Sequence, residues 1–191
     1  MRWNRLFADL EAQLEAAADD ELDAEVADRT RRELAATTFE GRLRAAAGRV
    51  VELSVIGAGR LVGQPRRVGR GWLLLQVDGG PPAVVATGFV AGARDLPVAA
   101  REYDGERLAT GRPGEQPAGL AHVLRVLARD RTATAVVLVD GTTLTGTIDR
   151  VGTDYLDLAE HSLDEPRRSS AVRAVRTVAF STVAVLRPRL E

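Results

Sequence analysis

Two stretches of this 191-residue chain align without a gap at an offset of 83 residues, and that duplication limits its fold more than any other feature. Leu61, Gly63, Arg67, Val68, Gly69, Trp72, Leu73 and Leu75 match Leu144, Gly146, Arg150, Val151, Gly152, Tyr155, Leu156 and Leu158. Upstream, the apolar run Val50 to Ile56 meets Ala133 to Val139, and a helical stretch precedes each: Phe39 to Ala47 and Leu120 to Arg129. Thr37 with Glu40 three residues on forms a capping box for the first helix. Downstream, Val85 to Val90 matches Val178 to Val183 at an offset of 93. The second copy therefore holds about ten extra residues near His161 to Ser170, whose Pro166-Arg167-Arg168-Ser169-Ser170 reads as an exposed loop. Each copy is a helix followed by short β-branched strands punctuated by Gly turns, a small-barrel pattern.

The expected organisation is an acidic helical segment over 1–36, a first barrel over 37–95, a Pro/Gly-rich linker over 96–117 and a second barrel over 118–191. Trp3, Phe7, Leu10 and Leu14 form one apolar helical stripe. Two heptads are marginal alone, so this stripe needs a surface: the chain's own barrels, or a partner in self-association. Charge divides likewise. Residues 1–40 carry 11 acids against 5 Arg, and residues 41–191 carry 16 acids against 21 Arg, although the formal net charge is only −1. That body is weakly basic for a dedicated DNA binder.

Several function classes drop out. Without Cys there are no disulfides or thiolate sites, and two His, His122 and His161, cannot make a three-His zinc centre. His122 is expected on a helix flank and His161 at the start of a polar loop. No Gly-x-Ser-x-Gly, P-loop or His-Glu-x-x-His motif occurs, and Asp149, Asp154 and Asp157 lack calcium-loop spacing. No enzyme, metal or cofactor is expected. No apolar run reaches the ~18–20 residues of a membrane span, and the amino terminus is unlike a signal peptide, so a cytoplasmic protein is expected. Ile56-Gly57-Ala58-Gly59, with Asp78 ~20 residues on, imitates a dinucleotide fingerprint. That motif needs a helix opening at its second Gly, and here Pro65, Gly69 and Gly71 fall inside it.

Val139-Asp140-Gly141-Thr142-Thr143-Leu144-Thr145-Gly146-Thr147-Ile148-Asp149-Arg150-Val151 resembles the first Sm motif of Sm-like proteins, in particular bacterial Hfq. Ala179-Phe180-Ser181-Thr182-Val183 is similar to the second. The first copy is the more degenerate, with Pro65 in its bent strand. The resemblance covers about 65 residues per copy and implies an α+β, mainly β fold: two tandem Sm-like (SH3-like) open β-barrels, each preceded by a helix. It also implies edge-to-edge packing, in which the last strand of one barrel extends the sheet of the next. The family's base-binding slots fall on Gly152, Asp154 and Leu156, and on Gly69, Gly71 and Leu73, none of them a stacking group, so its pocket is not carried over. Trp72 and Tyr155 are read as core aromatics.

Arginine, the chain's only cationic side chain, remains. Arg66, Arg67 and Arg70 cluster in the first copy. Arg150 repeats Arg67, and Arg167, Arg168, Arg173 and Arg176 line the long loop and strand of the second. Guanidinium groups bind phosphate bidentately and stack on bases, which makes these residues the candidate RNA contacts. Two functions are expected: an RNA-associated regulator, or an interaction scaffold that kept the barrel and lost the pocket. Candidate partners are RNA and a second copy, the latter through barrel edges or the N-terminal helix.

Overall fold

The structure, a computed structural model, describes residues 25–32, 34–97, 118–164, 168 and 171–189. The chain divides after Thr38 into two units. In the first, residues 25–32 and 34–36 are helical and exposed. Asp28 accepts hydrogen bonds from Arg32 there, and Thr30 Oγ1 donates to Val26 O at 2.8 Å. The stripe Trp3, Phe7, Leu10 and Leu14, and residues 98–117 of the expected linker, lie outside the described residues.

The second unit is mainly β. A helix α1 (Phe39–Ala45) precedes β1 (Val51–Val55), β2 (Gly59–Val68), β3 (Trp72–Val77), β4 (Ala83–Ala86) and β5 (Val90–Arg94). A second helix α2 (Leu120–Arg129) precedes β6 (Ala133–Leu138), β7 (Thr143–Val151), β8 (Tyr155–Glu160), β9 (Ala174–Ala179) and β10 (Val183–Pro188). All ten strands join one open antiparallel sheet in the order β5-β1-β2-β3-β4-β10-β6-β7-β8-β9. Alternation makes the strands. In β1, Val51, Leu53 and Val55 are buried while Ser54 is exposed, so one face enters the core and the other meets water.

Glycine sets the turns and bends. Gly57 and Gly59 have φ of 77° and 73°, the left-handed region open to Gly at little cost. They close the β1–β2 turn, and Gly59 opens a strand rather than a helix, so the dinucleotide-like residues make a hairpin. A β-carbon on Gly63 would lie 2.1 Å from Gln76 O, and one on Gly146 2.0 Å from Ala159 O. Each long strand therefore crosses its neighbour at a point where only hydrogen fits.

The repeat extends to single hydrogen bonds. Gly69 N donates to Trp72 O at 2.9 Å, and Gly152 N to Tyr155 O at 2.8 Å. Ile56 N donates to Phe89 O and Val139 N to Thr182 O, both at 2.9 Å. A bulge between Pro65 and Arg67 recurs between Ile148 and Arg150. Pro65, which has no N–H, is thus accommodated beside a bulge that the second copy makes with Ile148.

The halves meet where β4 pairs with β10, Val85 opposite Val185 and Val84 opposite Leu186. Their cores interleave there. Val137, Ala184 and Val185 of the second half complete the cluster around Leu53, Leu73 and Leu75. Trp72 and Val84 of the first half enter the cluster around Leu124, Ile148 and Leu156. Trp72, 6% exposed, also donates from Nε1 to Ala118 O at 2.7 Å, just before α2.

Glu40, expected as a capping-box residue, bonds to two groups beyond its own helix. Its Oε1 accepts from Gly71 N at 2.7 Å and from Thr87 Oγ1 at 3.0 Å, tying α1 to the start of β3 and the turn after β4. His161 begins a loop, as the sequence indicates, yet it is 2% exposed. Its Nδ1 lies 2.7 Å from Ser162 O and its Nε2 2.8 Å from Thr147 Oγ1. A carbonyl only accepts, so Nδ1–H donates to Ser162 O, and in the neutral ring Nε2 then accepts from the Thr147 hydroxyl. Among the described residues no helix is long and apolar enough to cross a membrane, and no three His, Asp or Glu cluster as metal ligands.

Candidate nucleic-acid interface and sheet edges

The structure sorts the candidate arginines into two groups, five strand positions apart in the sheet at their nearest strands β2 and β7 and seven at β2 and β9. Arg66, Arg67 and Arg70 belong to the β2–β3 region, whereas Arg150 lies on β7 and Arg173 and Arg176 at β9. Arg66 sits at the bulge and is exposed, because it pairs with nothing on β3. Arg67 is half-buried opposite Leu74. Arg70 is exposed, and its N–H donates to Ala118 O at 3.2 Å.

In the second group Arg150 is exposed opposite Asp157. Arg176 is held by the Glu160 carboxylate, whose hydrogen bond raises the guanidinium pKa above its ordinary value. Arg173 is exposed, with its N–H on Glu160 O at 2.9 Å. Arg168 is exposed, and Arg167 lies outside the described residues. The second group is therefore interleaved with Asp157 and Glu160 rather than forming a purely basic groove.

Tyr155 corrects the sequence reading. It is 41% exposed, although its counterpart Trp72 is buried. The reason is position. Trp72 faces the junction and is covered by the second half, whereas Tyr155 opens β8 at the far end of the sheet, where nothing described covers it. Its ring packs over Gly152, where a β-carbon would come within 2.3 Å of the ring. Residues directly opposite on neighbouring strands share a face, as do residues two apart on one strand. Tyr155, Asp157, Arg150 and Thr177 thus lie on one face. An exposed aromatic and an exposed guanidinium on one face are the groups that can stack a base and hold a phosphate, and Tyr155 is not among the residues expected there. The available signal was polarity: Asp157 and Thr177 stand where the first copy has Leu74 and Val84.

The same comparison defines the two sheet ends. Among the described residues, β5 pairs only with β1, and β9 only with β8. On β9, Val175 is 61% exposed, and Thr177 Oγ1 donates to Asp157 Oδ1 at 2.7 Å. At the β5 end, Phe39 is 37% and Ile56 48% exposed. Gly92 has open space where a β-carbon would stand.

Comparison with protein-family models, with curated proteins and with solved structures returns no match for this chain.

Proposed function

We propose that this chain is a non-enzymatic, Sm-like assembly scaffold, a fused pair of small barrels that has exchanged the family's RNA pocket for strand-to-strand contacts. The observation that carries the reading is the pair of sheet ends, β5 and β9, which among the described residues combine an unpaired strand edge with exposed apolar side chains. Support for Sm-like barrels comes from the strand order, 5-1-2-3-4 in each half, with a helix ahead of the first strand. The glycine bends at Gly63 and Gly146 support it too, as do the single turns Thr87–Phe89 and Phe180–Thr182 that join the last two strands. The family's pocket slots at Leu73 and Leu156 are fully buried core positions, which favours a scaffold.

A second reading, RNA regulation through arginine, is favoured by one observation: Tyr155 shares a face with Arg150. Titration of a labelled single-stranded RNA pool by fluorescence anisotropy separates the two. The scaffold reading expects no saturable binding at low salt. Saturable binding that weakens steeply with salt, and that is lost in R150A and Y155A, overturns it in favour of RNA regulation.

A further inference from the structure

The tripeptide Val-Asp-Gly occurs twice among the described residues, as Val77-Asp78-Gly79 and as Val139-Asp140-Gly141. The first lies in the turn from β3 to β4, the second in the turn from β6 to β7. An aspartate followed by glycine is open to one intramolecular reaction, in which the glycine backbone nitrogen attacks the aspartate side-chain carboxyl carbon. Glycine favours it because no β-carbon obstructs the approach or restricts the rotation it needs. Since both tripeptides are the same, their surroundings decide which aspartate reacts.

In the second turn both reacting groups are engaged. Gly141 N donates to Leu138 O at 3.0 Å, and Leu138 N to Thr142 O at 2.8 Å, which closes the hairpin around the dipeptide. Asp140 Oδ1 accepts from Thr142 N at 2.8 Å. That bond, with one from the Thr142 side chain, holds the carboxyl below its ordinary range and so in the ionised form, which has no hydroxyl to lose. The first turn holds neither group. Asp78 and Gly79 are exposed, and among the described residues nothing bonds the Asp78 carboxylate or the Gly79 N–H. Gly79 has φ of 68°, and nothing lies within 4 Å of the place of a β-carbon there. The turn is fixed from its flanks instead. Asp78 N donates to Val62 O at 2.9 Å, Gly80 N to Val77 O at 3.3 Å and Gln76 Nε2 to Gly80 O at 3.2 Å. The peptide joining Asp78 to Gly79 takes part in none of these bonds.

We propose that Asp78-Gly79 is a modification site, at which the folded chain converts aspartate to isoaspartate while Asp140-Gly141 is protected. Gly79 N forms a bond to Asp78 Cγ, the carboxyl hydroxyl leaves with the amide proton as water, and a cyclic imide results. Water then adds to either imide carbonyl. Opening at the side-chain carbonyl restores aspartate. Opening at the main-chain carbonyl leaves the backbone running through Cγ, with the former α-carboxylate as the new side chain. One water leaves and one returns, so mass and charge are kept and no further reactant is needed. The added main-chain carbon falls after the β3–β4 ladder has ended with Leu75 opposite Ala83, and it leaves Asp78 N on Val62 O. The fold therefore accommodates the product. The site is independent of the scaffold reading, since it needs neither a partner nor RNA.

The full chain, kept folded at neutral pH and physiological temperature for several weeks, provides the test. Cleavage after arginine separates the two sites: the peptide Gly71 to Arg94 carries Asp78, and Thr132 to Arg150 carries Asp140. Asp104-Gly105, outside the described residues, falls in a third peptide. Isoaspartate is read from the chromatographic splitting of each peptide at constant mass and from diagnostic fragments in electron-transfer mass spectrometry. Conversion at Asp78 is expected to run at least ~10-fold ahead of Asp140 in the folded chain, because Asp140 reacts only through an opened turn. In denaturant the two sites are expected to come within about 2-fold of each other, because the fold no longer holds either tripeptide. Circular dichroism before and after incubation confirms that the chain stayed folded. Absence of isoaspartate at Asp78, or equal conversion of both sites in the folded chain, overturns the proposal. So does a gap that persists in denaturant, which would assign the difference to Gly80 against Thr142 in the sequence and not to the turns.

Discussion

Gly57 sits against the carbonyl of Leu138 so closely that a β-carbon on it would lie 2.0 Å from that oxygen and 2.8 Å from Val139 Cα. The β1–β2 turn of the first half thereby presses on the end of β6 in the second, and the β4–β10 pairing fixes the same joint from the strand side. The two halves are locked at two points, one through backbone proximity and one through a ladder.

Gly57→Ala is therefore expected to damage the joint, and Gly59→Ala serves as its control. Both residues have positive φ, but nothing lies within 4 Å of a β-carbon at Gly59. The backbone penalty alone costs ~1 kcal/mol, and the overlap with Leu138 brings Gly57→Ala to roughly 2–4 kcal/mol. Urea unfolding of the two variants checks this; equal losses would show that the close approach carries no energy.

Much of this architecture is legible in sequence because backbone geometry dictates it. Gly63 and Gly146 repeat because a β-carbon fits at neither crossing, and the Leu73 and Leu156 positions and the apolar β1 and β6 runs repeat because both halves bury the same faces. What a duplicated pattern does not encode is where the sheet stops. Trp72 and Tyr155 occupy equivalent places, so periodicity treats them alike, while burial depends on whether another half covers the face. The burial of His161 is hidden for a similar reason. The ring is closed in by Thr147, which becomes its neighbour only when β7 pairs with β8. The split of the arginines likewise follows from strand order, which places five steps between Arg67 and Arg150 although the repeat makes them equivalent.

Thr147→Val is expected to cost about 1–3 kcal/mol, because it keeps the shape at a buried site but leaves His161 Nε2 without its donor. Removing both polar partners at once relieves that penalty. The double variant T147V/H161L is therefore expected to be less destabilised than the sum of the two single variants. A thermodynamic cycle from chemical unfolding measures the coupling, and strict additivity would show that the two groups do not interact.

Acid is expected to weaken the fold through carboxylates bonded in the native state. The hydrogen bond from Arg60, at 2.6 Å, holds the Glu52 carboxyl below the usual range, with the charges of Arg60 and Arg94 adding to the effect. The backbone N–H of Thr142 does the same for Asp140. A depressed native pKa means that the unfolded chain binds more protons as pH falls. The stabilisation is thus full above the ordinary carboxylate values of about 4 and is lost as pH drops through the lower native ones. Stability measured against pH is expected to fall on this acid limb, and Arg60→Gln to flatten the Glu52 share of the slope. An unchanged slope in that variant would remove Arg60 as the cause.

Trp72 and Tyr155 are expected to part company energetically despite their equivalence. Trp72→Ala removes a buried indole from the second half's core and its hydrogen bond to Ala118 O, an expected loss of roughly 3–5 kcal/mol. Tyr155→Ala truncates a ring that is 41% exposed and is expected to change the stability of dilute, single-chain protein by no more than about 0.5 kcal/mol. Thermal unfolding at low concentration measures both. A Tyr155→Ala protein that melts as early as Trp72→Ala would mean that this ring is already covered within one chain, and the β9 end could not then be an open face.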